Sequence, residues 1–315
     1  MTLCRPLQVD VLKYSEALGE VPDGTFYRFP LVPVRGVPLM QPIAEYWDKI
    51  ETFQARPDDL LIATYPKAGT TWMQEIVDCI MNDGDVERSR RAPTHVRSPF
   101  LEIASPPPVP SGIDQLEVTP SPRLVKTHLP YELVPNSFWQ QKCKTIYVAR
   151  NAKDNAVSYY FFDLMNKTQP HPGTWEEYLP KYIRGDVPWG SWFDHVLGWW
   201  NAREKHNILY VFYEDMKEDP KREIRKVMRF LGKALPEDVV EKVYQHTSFN
   251  AMKENPMANY SSIPSNVIDQ SVSPFMRKGE VSDWINHFSE AQNKMFDAEY
   301  QKRMAGSTLK FRCKI

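Results

Sequence analysis

Three short runs along the chain are apolar at nearly every position: Leu60–Ala63, extended by Thr64 and Tyr65, then Thr145–Ala149, then Ile208–Phe212. Runs of this length without polar alternation suit strands buried on both faces. Arg123–Thr127 reads as a further strand. After each apolar run the period lengthens. Pro66 ends the first, because proline donates no ladder hydrogen bond, and Gly69 frees a turn. Trp72, Ile76, Cys79 and Ile80 then recur at helical spacing among the polar Gln74, Glu75 and Asp78, predicting a helix from Thr70 and Thr71 to Met81. Asp154–Phe162 takes the same spacing through Ala156, Val157 and Tyr160. Asp219 as N-cap and Pro220 in the first helical position open a third helix, carried by Ile224, Val227, Met228 and Leu231 and stopped near Gly232. Strand followed by helix, repeated, predicts an α/β fold: a mainly parallel central sheet, right-handed crossovers and helices on both faces. Ligands of such sheets sit beyond the strands' C-terminal ends. Lys67, Lys126, His128, Arg150 and Tyr213 all fall at such ends.

The flanking segments are less periodic. Residues 1–25 read as a flexible N-terminal arm and 26–315 as one domain. Pro30, Pro33, Pro38 and Pro42 mark extended chain with turns, and Ile43–Phe53 suits a short helix. Pro93–Pro122, with Pro106, Pro107 and Pro108 at its middle, reads as a long loop, and such loops in compact domains are often functional. It carries Phe100, Leu101 and Ile103, which should fold back on something apolar. Gly173–Trp200 holds Trp175, Trp189, Trp192, Trp199 and Trp200, read as core and helix packing. The last quarter shows little strand pattern.

Composition narrows the class. The 315 residues are 42% hydrophobic and 25% charged, which argues against a largely disordered chain and leaves enough core to fold without disulfides. A net charge of −1 means that any anion site must be a local cluster, and it disfavours a nucleic-acid surface. Cys4, Cys79, Cys143 and Cys313 form no CxxC pair, so free thiols in a reducing compartment are expected rather than a metal or redox motif. The first residues lack a basic region followed by an apolar core, and no run approaches membrane-spanning length, so a cytoplasmic protein without membrane contact is expected.

The loop after the first strand carries the candidate chemistry. Its backbone N–H groups and the helix's first turn converge on one spot and favour an anion, with Lys67 adding a full charge and Thr70 and Thr71 adding hydroxyls. It is not a Walker A loop, because the lysine precedes the only glycine and no Ser or Thr follows it to hold magnesium. By itself, strand-Lys-x-Gly-helix also fits an ordinary turn with a solvated lysine. Lys126 and His128 project from one face of an extended chain. Arg277-Lys278-Gly279 is a second basic loop, readable alone as a surface turn, and Glu214-Asp215 reads as a solvated turn rather than a metal site.

Together these blocks resemble the cytosolic sulfotransferases, family 1, the phenol/aryl and steroid group. TYPKAGTTW (64–72) is similar to the family's 5′-phosphosulfate loop and YVARNAKDNAVSYY (147–160) to its 3′-phosphate segment; FYEDMKEDP (212–220) and FMRKGEVSDW (275–284) match further blocks. Each motif alone is weak, but four in this order are specific, and the likeness spans roughly residues 40–312. The resemblance implies a three-layer, P-loop nucleotide-kinase-like sulfotransferase fold. It implies transfer of the sulfuryl group from 3′-phosphoadenylyl sulfate to the hydroxyl or amine of a small hydrophobic acceptor such as a phenol, steroid, hormone or foreign compound. Adenosine 3′,5′-bisphosphate would be the product, and no metal would be needed. Carried over by motif, Lys67, Ala68, Gly69, Thr70 and Thr71 hold the 5′-phosphate, and Trp72 packs near the adenine. Arg150, Ser158, Arg277, Lys278 and Gly279, with Phe275 and Met276 in the same block, hold the 3′-phosphate end, while Tyr213, Thr247 and Phe249 frame the adenine. His128 is the implied general base, and Lys67 and Lys126 sit beside the transferring group. Phe100, Phe162 and Tyr260 fall at acceptor-pocket positions, although as aromatics they equally fit plain core. Two departures stand out. Ala68 replaces a common serine, with little loss expected while its backbone N–H remains. The stretch 285–294 lacks the family's Lys-x₃-Thr-Val-x₃-Glu dimer motif, so a homodimer by that mode is not implied. A nucleotide kinase or hydrolase would need the missing Walker lysine and metal ligands. A non-catalytic nucleotide-binding module would not need Lys126 and His128.

Overall fold

The computed structural model describes residues 17–315 except 23, 26 and 108. Four strands, β3 (Leu60–Thr64), β4 (Leu124–Thr127), β5 (Lys144–Ala149) and β6 (Ile208–Phe212), form one sheet in the order β4-β3-β5-β6, with every neighbouring pair parallel. All four strand expectations hold to within a residue. Strand periodicity sends alternate side chains to opposite faces, and both faces are buried. Leu60, Ile62, Ile146, Val148 and Val211 meet helix α1 (Thr70–Met81), helix α2 (Pro220–Leu231) and helix α3 (Glu237–His246) through Ile76, Val77, Ile224, Val227, Val240 and Val243. Leu61, Ala63, Val125, Tyr147, Ala149 and Tyr210 turn to the other face, where Tyr159, Tyr182, Trp192 and Trp199 pack. The helix expected over Asp154–Phe162 runs longer, Ala152–Met165, capped by the Asn151 side chain accepting from the Asp154 N–H.

Some flanking elements differ from expectation. Leu31–Val34 and Val37–Met40 (β1 and β2) close a small antiparallel hairpin where only extended chain was expected. The single helix expected over 43–53 is two short ones, Gln41–Glu45 and Trp47–Glu51. Pro93–Pro122 is not structureless: it contains helices Thr94–Arg97 and Gly112–Val118, and Phe100 pairs with Lys126 as a parallel bridge on the edge of β4. Leu101, Ile113 and Leu116 of that segment are buried in the core. Most of the expected arm lies outside the described residues, as does Cys4; its described end is packed, with Leu18 and Val21 buried. Cys79, Cys143 and Cys313 are free thiols. The last quarter holds helices Glu237–His246, Phe249–Glu254 and Glu290–Met304, with an irregular stretch over 255–282 between them.

The starts of β3 and β4 are tied by charge. Arg123 donates from Nε to Asp59 Oδ1 at 2.8 Å and from Nη2 to Oδ2 at 2.6 Å, and both side chains are buried. The Leu60 N–H donates to the Arg123 carbonyl at 2.9 Å. This pair sets the register that brings the other ends of the two strands together. Breaking it leaves a buried carboxylate with only the Arg56 N–H, at 2.8 Å, and no countercharge, so Arg123→Ala should cost about 3–5 kcal/mol. A urea midpoint shifted by less than about 1 kcal/mol equivalent would show that the pair does not fix the strands.

Candidate active site

A cavity of about 600 Å³ opens beyond the C-terminal ends of the four strands. All of the residues singled out from the sequence line it except one: Lys67, Gly69, Thr70, Thr71 and Trp72 from the first loop, Lys126 and His128 after β4, Arg150 and Ser158 after β5, Tyr213 after β6, and the more distant Thr247, Phe249 and 275–279, together with Phe100, Phe162 and Tyr260. The exception is Ala68. It is fully buried, and its N–H turns back to the Tyr65 carbonyl at 3.2 Å, so the free backbone donor expected there is already used.

The β3–α1 loop is shaped by two left-handed residues. Lys67 has φ 66° and Gly69 φ 106°, and a Cβ on Gly69 would stand 2.9 Å from the Tyr213 ring. Only glycine meets both demands. The Lys67 ammonium sits over the rings of Phe275 (4.1 Å) and Phe162 (4.5 Å). Burial, then the nearby Arg150 and Lys126 charges, bring its pKa down to about 7. Arg150 donates to the Lys67 carbonyl at 3.3 Å and to the Glu280 carbonyl at 3.0 Å, lies over Tyr213 at 4.4 Å, and keeps a buried Nε without a partner. Arg277 and Lys278 are gathered by the buried Asp283, Arg277 at 2.6 Å. Burial opposes that carboxylate's charge, but hydrogen bonds from Lys278, Asn286 and Arg277 outweigh it and hold its pKa well below the usual range. Gly279 at φ 65° presses against Phe249, where a Cβ would stand 2.3 Å from the ring. Asp154 accepts from the Ser282 and Trp284 N–H groups at 2.9 and 3.0 Å, tying this basic loop to the helix that carries Ser158.

His128 is fixed by partners that its motif did not reveal. Its Nδ1 lies 2.8 Å from the Thr64 carbonyl oxygen and 3.1 Å from Thr64 Oγ1, and that hydroxyl is 2.7 Å from Thr70 Oγ1. A carbonyl oxygen only accepts, so Nδ1 carries the proton and Nε2 keeps its lone pair. Burial, then the Lys126 charge, push the imidazole pKa well below its ordinary value, against the Thr64 hydrogen bond, so the ring is neutral near pH 7. The His128 N–H donates to Glu102 Oε1 at 2.7 Å, Thr127 donates to Glu102 Oε2 at 2.8 Å, and Trp189 Nε1 donates to Glu102 Oε1 at 3.0 Å. Burial raises Glu102 to about 7 despite these donors. Trp189 is thus more than core: it stands edge-on to His128 at 5.2 Å and stacks with Phe100 at 5.9 Å. Lys126 Nζ lies over Phe100 at 4.1 Å. Phe275 stacks on Tyr260 at 4.1 Å and so joins that ring to Lys67. Glu214 is a buried strut, not a solvated turn: its Oε1 accepts from the Asn151 N–H and amide at 2.8 Å each. Among the described residues no cluster of three His, Cys, Asp or Glu could hold a metal ion, and no helix is long and apolar enough to cross a membrane.

The chain as a whole is similar to known proteins. The sulfotransferase-domain family model matches residues 57–308. The chain is 57% identical over 281 residues to rat sulfotransferase 1C2, covering 89% of this chain and 95% of that protein. It is 56% identical over 290 residues to dog sulfotransferase 1B1, covering 92% and 98%. The fold is similar to a crystal structure of mouse sulfotransferase SULT7A1 complexed with PAP, with TM-score 0.72, 33% identity and coverage of 88% and 95%. It is similar too to retinol dehydratase in a complex with retinol and PAP, with TM-score 0.82, 25% identity and coverage of 95% and 96%. This chain belongs to the sulfotransferase family.

Proposed function

We propose that this sulfotransferase moves the sulfuryl group of 3′-phosphoadenylyl sulfate to the hydroxyl of a small, largely apolar acceptor, with His128 as the general base. The observation that carries the reading is the locked tautomer. With Nδ1–H committed to Thr64, the free Nε2 lone pair stands at a cavity wall shared with Lys126 and, through Thr64 and Thr70, with the anion loop. The residues suit a doubly phosphorylated nucleotide: Lys67 is a cation stripped of water, and Arg150 Nε is a buried donor without a partner. Lys67, Thr70 and Thr71 are assigned to the 5′-phosphate, Arg150, Ser158, Arg277 and Lys278 to the 3′-phosphate, and Trp72, Tyr213, Thr247 and Phe249 to the adenine. The bound donor supplies an activated sulfuryl group whose leaving oxygen belongs to a phosphate. Lys67 and the first-turn N–H groups stabilise charge on that oxygen, and Lys126 stands beside the transferring group. His128 Nε2 takes the acceptor's proton, and the Thr64 carbonyl supports the imidazolium that forms. Positioning and charge stabilisation then carry most of the rate on an in-line path, as in phosphoryl transfer. Phe100, Phe162, Tyr260 and Trp189 wall the acceptor side, favouring a flat apolar acceptor.

Two outcomes follow. His128→Ala should retain affinity for adenosine 3′,5′-bisphosphate and lose roughly 10²–10⁴-fold in turnover of a phenol panel; near-full turnover would remove the base assignment. Lys67 loses its proton as pH rises through about 7 in the free protein. A bound nucleotide polyanion favours the charged lysine, so binding at pH 8 should take up about one proton. Calorimetry of adenosine 3′,5′-bisphosphate in buffers of different ionisation enthalpy measures this. The uptake should vanish in Lys67→Met, and an identical uptake in that variant would place the titrating group elsewhere.

A further inference from the structure

The acceptor side of the cavity runs to a far end built by three segments distant in sequence. Leu18 and Met40 close it from the N-terminal part of the chain, Ile268 from the last quarter, and Asn166, Thr168 and Gln169 from the turn after helix Ala152–Met165. The turn is held firmly. The Arg28 guanidinium donates to the carbonyls of Asp163 (2.7 Å), Leu164 (2.9 Å) and Gln169 (3.1 Å), and Asn166 pairs with Ile268 across an antiparallel bridge. Its two side-chain amides are turned alike. Asn166 Oδ1 accepts from the Thr168 N–H and hydroxyl at 2.9 and 2.8 Å. A backbone N–H only donates, so the oxygen lies on that side and the NH₂ group on the other. Gln169 Oε1 is enclosed by protein. Both NH₂ groups keep open surface and meet no hydrogen-bond partner among the described residues. Asn166 is only 5% exposed and Gln169 3%, and both line the cavity, so the surface that the two nitrogens keep belongs to it.

Two NH₂ groups aimed into a chamber otherwise walled by Leu18, Met40 and Ile268 make a demand of one sign. A desolvated donor without an acceptor is costly, and a ligand that brings the acceptor recovers that cost. We infer that the far end of the cavity is a subsite for a hydrogen-bond-accepting oxygen, read by Asn166 Nδ2 and Gln169 Nε2, and that it selects phenols carrying a carbonyl group at the end opposite the sulfonated hydroxyl. A carboxylate brings the same oxygens but loses far more hydration on entry, so the neutral carbonyl is the fitting group. The inference rests on the acceptor reading above and sharpens it. Sites built to hydrogen-bond a ligand group reject the isostere lacking it far better than apolar pockets sort by size.

The test uses pairs of phenols in which CH–CH₃ replaces the carbonyl: 4-(4-hydroxyphenyl)butan-2-one with 4-(3-methylbutyl)phenol, and the shorter 4-hydroxyacetophenone with 4-isopropylphenol. Affinities are read by calorimetry on protein loaded with adenosine 3′,5′-bisphosphate, and kcat/KM beside them. In both Gln169→Leu and Asn166→Asp the carbonyl-to-hydrocarbon ratio should fall roughly tenfold below its wild-type value for at least one pair. Aspartate keeps the oxygen that Thr168 meets, so the turn survives while the donor is lost. Reading a ratio within each variant removes any common loss from imperfect folding. Ratios unchanged for both pairs, or lowered in one variant alone, overturn the subsite, because a more apolar wall acts only in Gln169→Leu and an added charge only in Asn166→Asp. Binding ratios that shift as expected without turnover would count against the sulfuryl-transfer chemistry and not against the subsite. No binding of any of these phenols would count against the acceptor reading itself.

Discussion

Positive charge held out of water without full compensation is the constraint on which the rest of this structure depends. Lys67 is buried next to the charges of Arg150, Lys126 and Arg277, and each lowers its hold on a proton. In a medium of low dielectric such crowding is unfavourable. The fold sustains it with several partial answers: two ring faces beneath Lys67, a carbonyl from Lys67 itself and one from Glu280 for Arg150, and the Asp283 carboxylate for Arg277 and Lys278. Asp163, buried among tyrosines, feels both Arg28 and Lys67, but burial still raises its pKa well above the usual range. On the proposed reading, a polyanion with two separated phosphates would complete what the protein leaves incomplete, and its affinity would draw on repulsion already present in the free site.

The His128 end of the cavity obeys a geometric constraint set by the sheet. Parallel pairing places Ala63 opposite Thr127, so the next residues in each strand, Thr64 and His128, meet as the strands end. That meeting decides the imidazole's tautomer. It also joins the imidazole to the β3–α1 loop, because the Thr64 hydroxyl touches Thr70 in the first turn of the following helix. Glu102 extends the same logic from the Pro93–Pro122 segment, gathering the His128 N–H, Thr127 and Trp189 into one buried cluster. The tie of Arg123 to Asp59 at the opposite end of these strands lies on the same two strands whose ends bring Thr64 and His128 together.

How much of this was legible follows from the same physics. Strands buried on both faces need unbroken apolar runs, so β3, β5 and β6 announced themselves, and their ends marked Lys67, Arg150 and Tyr213. The family likeness added Thr247, Phe249 and the 275–279 loop, whose contact between Gly279 and Phe249 no local pattern could reveal. Roles created by pairing across elements stayed hidden. Thr64 looked like a strand residue, Trp189 like core, Glu214 like a turn, and Glu102 sat in a stretch read as loop. Ala68 shows the converse: its place in the motif suggested a free backbone donor, but the turn's own geometry spends that N–H on Tyr65.

The two halves of the cavity differ in how they are specified. The donor half hangs on strand ends and helix starts, where backbone geometry is repeated and a few motifs suffice. The acceptor half is assembled from the N-terminal segment, the Pro93–Pro122 segment, the turn at 166–169 and the region around Tyr260 and Ile268, none of which belongs to the sheet. Each is positioned by individual contacts, such as the Arg28 clamp on three carbonyls or the Phe100 bridge to Lys126. The two halves still touch, because Lys67 sits over Phe162 and Phe275, and Phe275 stacks on Tyr260. The sheet fixes the loop ends that carry Lys67, Arg150 and Tyr213, whereas the far end of the cavity depends on contacts between segments that the sheet does not hold.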